Sequence, residues 1–345
     1  MTGLVLRGVA GLRGGFGGVA SVWGLVLAIP LVVAALDPAS LAAILGEALG
    51  GFAGTLPWVA AAVALVAGLK ASGATALVAR AFEGRETRMI VLAALLGGLA
   101  PFCSCEVIPF IAAMLALGAP LSAIMAFWLS SPLIDPATAL ITAAALGWEF
   151  AAGKAVAAVA LGLAGGFAVR PLARLPAFAA PLRAGRDGLC TGCETPLGGD
   201  TLWRFWREPP RRKIFRAEAV ANARFLVKWL ALAYLLQALL VAYVPAAAVA
   251  AAVGGDGVAS IAIGALVGAP AYLNGYAAPA LIAGLMQQGM GAGAAMAFMV
   301  AGSVSCIPAM AAVFSLVRSP VFAAYVALGI AGAMAFGAAF GALMG

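Results

Sequence analysis

The 345-residue chain has no histidine, five cysteines, and charged residues at only 10% of its positions. Each scarcity excludes something. Without histidine there is no imidazole-ligated metal site and no histidine proton relay. Soluble chains carry charge at about 25% of positions, so 10% charge with 65% hydrophobic residues and a mean hydropathy of +1.10 excludes soluble enzymes, disordered scaffolds and nucleic-acid binders as readings of the whole chain. The cysteines, Cys103, Cys105, Cys190, Cys193 and Cys306, are odd in number, and three lie in apolar segments. That argues against a disulfide framework and for thiols at a reducing cytoplasmic face. No cleavable signal peptide is evident, because the uncharged stretch from Val19 to Leu36 reads better as a first span.

Charges punctuate the rest. None falls between Glu47 and Lys70, between Arg88 and Glu106, between Glu106 and Asp135, between Lys228 and Asp256, or anywhere from Gly257 to Val317. A span needs about 20 residues, so the last and longest of these runs holds more than one crossing, broken at its Gly and Pro residues. The net charge of +7 is best explained by topology. Arg80, Arg85 and Arg88, and the twelve basic residues between Arg170 and Lys228, place those segments and the N-terminus in the cytoplasm.

An economical path follows. Two spans lead to a re-entrant hairpin over 89–118 with its turn at Pro101 to Cys105. A broken span, 120–131 then 133–147, precedes a return over 151–169. The second half repeats this upside down: 225–244 outward, a hairpin turning at Pro270 to Tyr276, a broken span over 293–304 and 306–317, and a last helix. Matching residues recur at offsets of 169 to 173: Pro101 with Pro270, Pro109 with Pro279, Gly118-Ala119 with Gly291-Ala292 or Gly289, Ala126-Phe127 with Ala297-Phe298, Pro136 with Pro308. The expected fold is an all-α polytopic membrane protein of two inverted repeats with re-entrant hairpins and broken transmembrane helices. Its divisions are 1–53 (N-terminal helix and first span), 54–170 (first repeat), 171–223 (cytoplasmic loop) and 224–345 (second repeat). Gly/Pro-interrupted segments at matching positions point to a secondary transporter with its site at the interruptions.

The segment Pro101-Phe102-Cys103-Ser104-Cys105-Glu106 sets two thiols and a carboxylate between helix-breaking prolines. Soft thiolates select Cu(I), zinc or thiophilic trivalent arsenic and antimony; the bland alternative is that cysteine packs the tip as a small hydrophobe. Cys306 lies in the second break, and a hairpin tip of one half can meet the span break of the other, giving a site of two or three thiols with Ser130 and Ser131 beside the first break. Glu106, Asp135 and Lys70 interrupt apolar spans at a cost of about 2.5–3.5 kcal/mol each. The two carboxylates are proton-coupling candidates; Lys70 is a coupling or salt-bridge partner, or snorkels. Tyr272 and Asn274 at the second tip offer phenol and amide groups to a ligand or to broken backbone. Cys190 and Cys193 have the spacing of half a tetrahedral metal site, with no further ligand in the loop, or of a cycling dithiol; the bland alternative is two unrelated loop thiols. The basic run from Arg204 to Arg216 with Trp203, Phe205 and Trp206 reads as an interfacial segment on anionic lipid.

Pro101-Phe102-Cys103-Ser104-Cys105, Gly118-Ala119-Pro120, Ser130-Ser131-Pro132 with Asp135-Pro136, and Gly268-Ala269-Pro270 to Tyr276 resemble the predicted permease family that includes YraQ and the organoarsenical efflux permease ArsP, over roughly residues 50 to 340. The resemblance implies a multi-pass bacterial inner-membrane permease exporting trivalent methylated or aromatic arsenicals, with Cys103 and Cys105 as its thiols. Glu106 departs from the family's small or polar residue there. The expected function is therefore gradient-coupled export of a thiophilic species by a non-enzymatic transporter without cofactor. Its partners are a small-molecule or metalloid substrate and lipid, not nucleic acid, with homo-oligomerisation left open. The alternatives are a soft-metal (Cu/Zn) exporter, a membrane thiol oxidoreductase, and an importer of a small anion.

Overall fold

A computed structural model describes residues 22–74, 85–99, 107–116, 118–133, 136–183, 202–243, 254–255, 257–270 and 278–344. The described chain is helical throughout, with isolated bridges only, between Leu182 and Val317 and between Gly254-Gly255 and Met290. Its α-helices are α1 (Val22–Leu36), α2 (Leu41–Ser72), α3 (Glu86–Leu99), α4 (Val107–Ala116), α5 (Leu121–Ser130), α6 (Pro136–Leu146), α7 (Trp148–Leu172), α8 (Pro209–Tyr243), α9 (Val258–Gly268), α10 (Ala278–Gln287), α11 (Ala292–Val304), α12 (Ile307–Leu316) and α13 (Ser319–Met344). The chain is thus the all-α polytopic membrane protein that its composition demands.

Prolines set many of the boundaries. Pro120 precedes α5, Pro209 and Pro210 open α8, and Pro308 and Pro320 stand in the first turns of α12 and α13, where a missing N–H costs nothing. Helices α7, α8 and α13 are long and apolar enough to cross a bilayer; α2, bent by 41° at Pro57, and the pair α11–α12, bent by 46°, bring the number among the described residues to five. By contrast the 14 residues of α3 span about 21 Å and the 10 residues of α4 about 15 Å, each short of the roughly 30 Å hydrocarbon core. The divisions drawn at 53/54 and 223/224 fall inside the continuous helices α2 and α8.

Among the described residues, α2 to α7 and α8 to α13 share one packing plan. Helix α3 packs on α5 as α9 does on α11; α5 packs on α7 as α11 does on α13; α4 lies on α5 as α10 lies on α11. The atoms agree. Gly166 meets Ile90, Ala126 Cβ and the Ser122 carbonyl, and Gly337 meets Ile261, Ala297 Cβ and the Gly293 carbonyl. A single offset carries each residue of the first group onto its counterpart in the second. Gly97 lies against the backbone of Phe127 and Gly268 against that of Phe298, once more at that offset. After α4 the amides of Gly118 and Ala119 bond Leu115 and Met114 carbonyls, and after α10 those of Gly289 and Met290 bond Met286 and Leu285. Gly118 (φ 85°) and Gly289 (φ 99°) take the left-handed conformation these turns require. The partner of Gly118 is therefore Gly289, the second of the two pairings left open by sequence.

A large buried cluster runs through α3 to α7 and α9 to α13, and a smaller one joins α1, α2 and α8 to Cys306 and Ala309. Helix α8 contributes to both. The basic run read as an interfacial segment is divided: Phe205–Arg207 is a short 3₁₀ turn, while Arg211 to Arg216 form the opening turns of α8, with Arg211 buried and Arg212, Lys213 and Arg216 more open.

Candidate functional site

Tyr325 of α13 links the end of α5 to the end of α11, the helices that precede the two breaks. Helix α5 ends in Trp128, Leu129 and Ser130, all fully buried. The Trp128 ring stacks on Tyr325 of α13, with centroids 4.6 Å apart and planes at 24°. The Tyr325 hydroxyl donates to the carbonyl of Val304, the last residue of α11 before the second break. A stacked pair and one hydrogen bond thus tie the end of α5 to the end of α11. A buried tyrosine needs a partner for its hydroxyl, and a helix end leaves carbonyls in need of a donor; each requirement meets the other here.

The halves also cross. Helix α4, which follows the Cys103–Glu106 segment, packs on α12, which follows Cys306; helix α10, which follows the second tip, packs on α6, which follows the first break. Cys306 stands at the N-cap of α12, 1% exposed, with extended backbone (φ −119°, ψ 157°) and its carbonyl accepting the Met310 amide at 2.8 Å. Ser303 and Ser305 beside it are buried, and their hydroxyls bond the carbonyls of Met299 and Ala301 at 2.8 and 3.1 Å.

At the first break Ser130 commits its hydroxyl to its own helix, donating to Ala126 and Phe127 carbonyls at 2.9 and 3.2 Å. Ser131 is 2% exposed and, among the described residues, its Oγ has no hydrogen-bond partner, like the Nε1 of Trp128 just ahead of it. Each such orphan costs about 1–3 kcal/mol. Of the other residues singled out in sequence, Cys103, Ser104, Cys105, Glu106, Asp135, Tyr272, Asn274, Cys190 and Cys193 lie outside the described residues. Among the described residues no group of three or more thiol, carboxylate or imidazole side chains converges.

Lys70 does not stand at the breaks. Its ammonium pairs with Glu218 of α8 at 2.7 Å, the two side chains being 14% and 4% exposed. Nearby, Arg211 donates from Nη1 to the Ala71 carbonyl at 3.1 Å and from Nε to Glu208 at 2.8 Å, and the Leu202 amide bonds the Ser72 carbonyl. The C-terminal end of α2 is thereby clasped to the start of α8. A second clasp holds Glu86 to Ser122 at 2.6 Å and to Arg170 at 3.1 Å. At the other end of α8 Tyr243 donates to Asp37 at 3.3 Å, and hydrogen bonding from Ser40, chiefly its side chain, holds the Asp37 carboxyl below the usual range.

Two charged residues that the sequence reading passes over emerge. Glu218 lies within a run whose basic neighbours dominate its reading. Lys154, 1% exposed inside α7, lies within the returning span expected over 151–169, yet is missing from the charges singled out as interrupting apolar spans. The signal that could have found it is its register: Tyr325 follows it at the same offset that relates Gly166 to Gly337 and the other matched contacts of the two halves.

The family model for predicted permeases, ArsP_1, matches residues 40–342, and the chain belongs to that family. No curated protein and no solved structure matches it. The match covers all helices from α2 to α13 nearly to the end, so the paired halves and their junction lie within the family's extent. The chain is a multi-pass membrane permease, working in lipid on a small-molecule substrate.

Proposed function

We propose that this permease is a secondary transporter that exports a thiophilic species, trivalent organoarsenicals first, across the bacterial inner membrane, with its N-terminus and the 171–223 loop in the cytoplasm. The substrate is held at the junction of the two breaks. Cys306 supplies one thiol, and Cys103 and Cys105 at the tip ahead of α4 supply the others. Glu106 and Asp135 carry the coupled proton, and the two halves are inverted with respect to each other. The chain performs no covalent chemistry.

The observation that carries this reading is the crossed packing of α4 on α12 and of α10 on α6, helices that follow in sequence the interrupted segment of one half and the break of the other. Irregular backbone at membrane depth is tolerated where protein or a water-filled cavity satisfies it, and inverted-repeat transporters place their substrates at such interruptions. The buried orphans Trp128 Nε1 and Ser131 Oγ at the first break favour a polar or hydrated ligand over a dry core. Thiols suit trivalent arsenic, a soft centre.

Uptake of phenylarsine oxide into everted vesicles tests the reading. Cys306→Ser is expected to lower the initial rate at least tenfold while the protein remains monodisperse in detergent. An undiminished rate refutes the thiol site. Uptake of Cu(I) but not of the arsenical by the unmodified protein replaces the substrate class with soft metal ions.

A further inference from the structure

Among the described residues, Trp128, Tyr325 and Lys154 are the three bulkiest side chains that the fold buries almost completely. The first two make the link between the breaks. The third is an ammonium inside a membrane helix, where a charge costs about 2.5–3.5 kcal/mol on insertion scales. Gly153, its neighbour in α7, would place a methyl group 3.1 Å from Met296 of α11 and 2.5 Å from the ring of Phe340 of α13, so this part of α7 faces the seam between the halves.

The repeat fixes what Lys154 corresponds to. Gly166 and Gly337 on the same two helices make matching contacts, and the offset between them carries Lys154 onto Tyr325. The Tyr325 hydroxyl holds the Val304 carbonyl at the second break. The counterpart of Val304 is Leu133, 1% exposed, in the turn that closes α5 with the Leu133 amide on the Ser130 carbonyl at 3.3 Å. A lysine and a tyrosine side chain have similar reach.

We propose that Lys154 is the positioning residue of the first break: its ammonium holds the turn after α5 as the Tyr325 hydroxyl holds the end of α11, and gain and loss of its proton make the first break the point at which transport is coupled. This rests on the transporter reading above. A buried lysine can give up its proton, whereas a guanidinium does not. In one cycle Nζ takes a proton that enters from the external water by way of the coupling carboxylates proposed above and passes it on toward the cytoplasmic water as substrate moves outward. Of the helices packed on α7, α5, α6 and α11 carry no titratable side chain, α13 carries Tyr325, and α3 carries Arg88 and Glu86, the latter bound to Arg170 and Ser122. On α7 itself Glu149 and Arg170 stand five and sixteen residues away. Asp135, the residue ahead of α6, lies outside the described residues.

The test compares the full-length protein with Lys154→Met and Lys154→Arg in proteoliposomes, using phenylarsine oxide as probe. Both variants are expected to lose accumulation driven by a pH gradient at least tenfold while exchange at equal pH stays within threefold. Lys154→Arg, which keeps charge and bulk, decides the matter if Lys154→Met does not fold. Accumulation by Lys154→Arg within threefold of the unmodified protein overturns the proposal; so does parallel loss of exchange and accumulation in that variant, which makes the lysine structural. A substrate-free measurement separates this from the substrate reading: the pH dependence of thermal unfolding should differ between the unmodified protein and Lys154→Arg. If phenylarsine oxide is not exchanged at all, the substrate reading fails and the unfolding profile alone decides, identical profiles refuting the role of Lys154.

Discussion

Gly97→Ala is expected to damage the protein where the adjacent Gly98→Ala does not. A methyl group at Gly97 would lie 2.8 Å from the Phe127 carbonyl oxygen and 3.2 Å from its Cα, and would overlap the Ser130 hydroxyl. Unstrained contacts begin near about 3.5 Å. A backbone carbonyl inside a helix cannot swing aside, so α3 and α5 must part, and Ser130 must leave the rotamer in which it bonds Ala126 and Phe127 carbonyls. Overpacking costs about 1–3 kcal/mol and a lost hydrogen bond about 1 kcal/mol, together about 2–4 kcal/mol. At Gly98 the nearest atom is a Val159 methyl at 3.4 Å, an ordinary contact, and alanine is the better helix former by about 1 kcal/mol. Gly268→Ala, whose methyl would approach the Phe298 oxygen to 2.5 Å, should behave as Gly97→Ala does. Melting of the purified proteins in one detergent, followed by intrinsic fluorescence, measures the difference. At about 2 °C per kcal/mol for a chain of this size, Gly97→Ala and Gly268→Ala should melt about 4–8 °C below the unmodified protein and Gly98→Ala at or above it. Gly97→Ala melting together with Gly98→Ala would refute the close approach of α3 to α5, and with it the packing plan inferred for both halves.

Two further perturbations address the links between elements. Tyr325→Phe keeps the stack on Trp128 and strips the donor from the Val304 carbonyl; a loss of about 1–3 kcal/mol is expected, read as a lower melting temperature, and no change would mean that the hydroxyl does not hold the second break. Removing either partner of the Lys70–Glu218 pair leaves a largely buried charge, at a cost of about 3 kcal/mol, whereas Lys70→Met combined with Glu218→Leu should recover most of that loss; additive losses in the double variant would show that the two residues do not interact.

Local chemistry makes much of the fold legible in sequence. The sequence reading puts the first broken span at 120–131 and 133–147, and the helices run Leu121–Ser130 and Pro136–Leu146; it puts the second at 293–304 and 306–317, and they run Ala292–Val304 and Ile307–Leu316. These boundaries are written in Pro120, Pro136 and Pro308, whose missing N–H and fixed φ act within one turn of the chain. The start of α8 is less legible, because Arg211, Lys213 and Arg216 suggest a surface segment. What makes that stretch the beginning of a 35-residue helix is distant: Glu218 faces Lys70 and Arg211 reaches the Ala71 carbonyl, partners 148 and 140 residues away. Lys154 is hidden for the same reason. Its burial is decided by helices distant in sequence that pack on α7, and α11 and α13 approach α7 at small residues such as Gly153 that carry no chemical signal of their own.

Those small residues also explain why the sequence offsets drift while the structure keeps a single register. Pro136 and Pro308, at an offset of 172, stand in the first turns of α6 and α12, just after the breaks, where an added or lost residue changes the break without moving the helix before it. Gly97, Ala126 and Gly166, like their counterparts Gly268, Ala297 and Gly337, lie where backbones touch, and a shift of one position there would turn a side chain into the contact. The halves are therefore held to one register at the glycine contacts and are at liberty to differ elsewhere. Where they differ in the middle of the molecule, one half carries a phenol and the other an ammonium. If Lys154 holds the first break as proposed, two similar frameworks that hold their breaks with groups of different charge would not respond alike to a proton, and that difference would let a nearly symmetric permease move protons and substrate in a fixed relation.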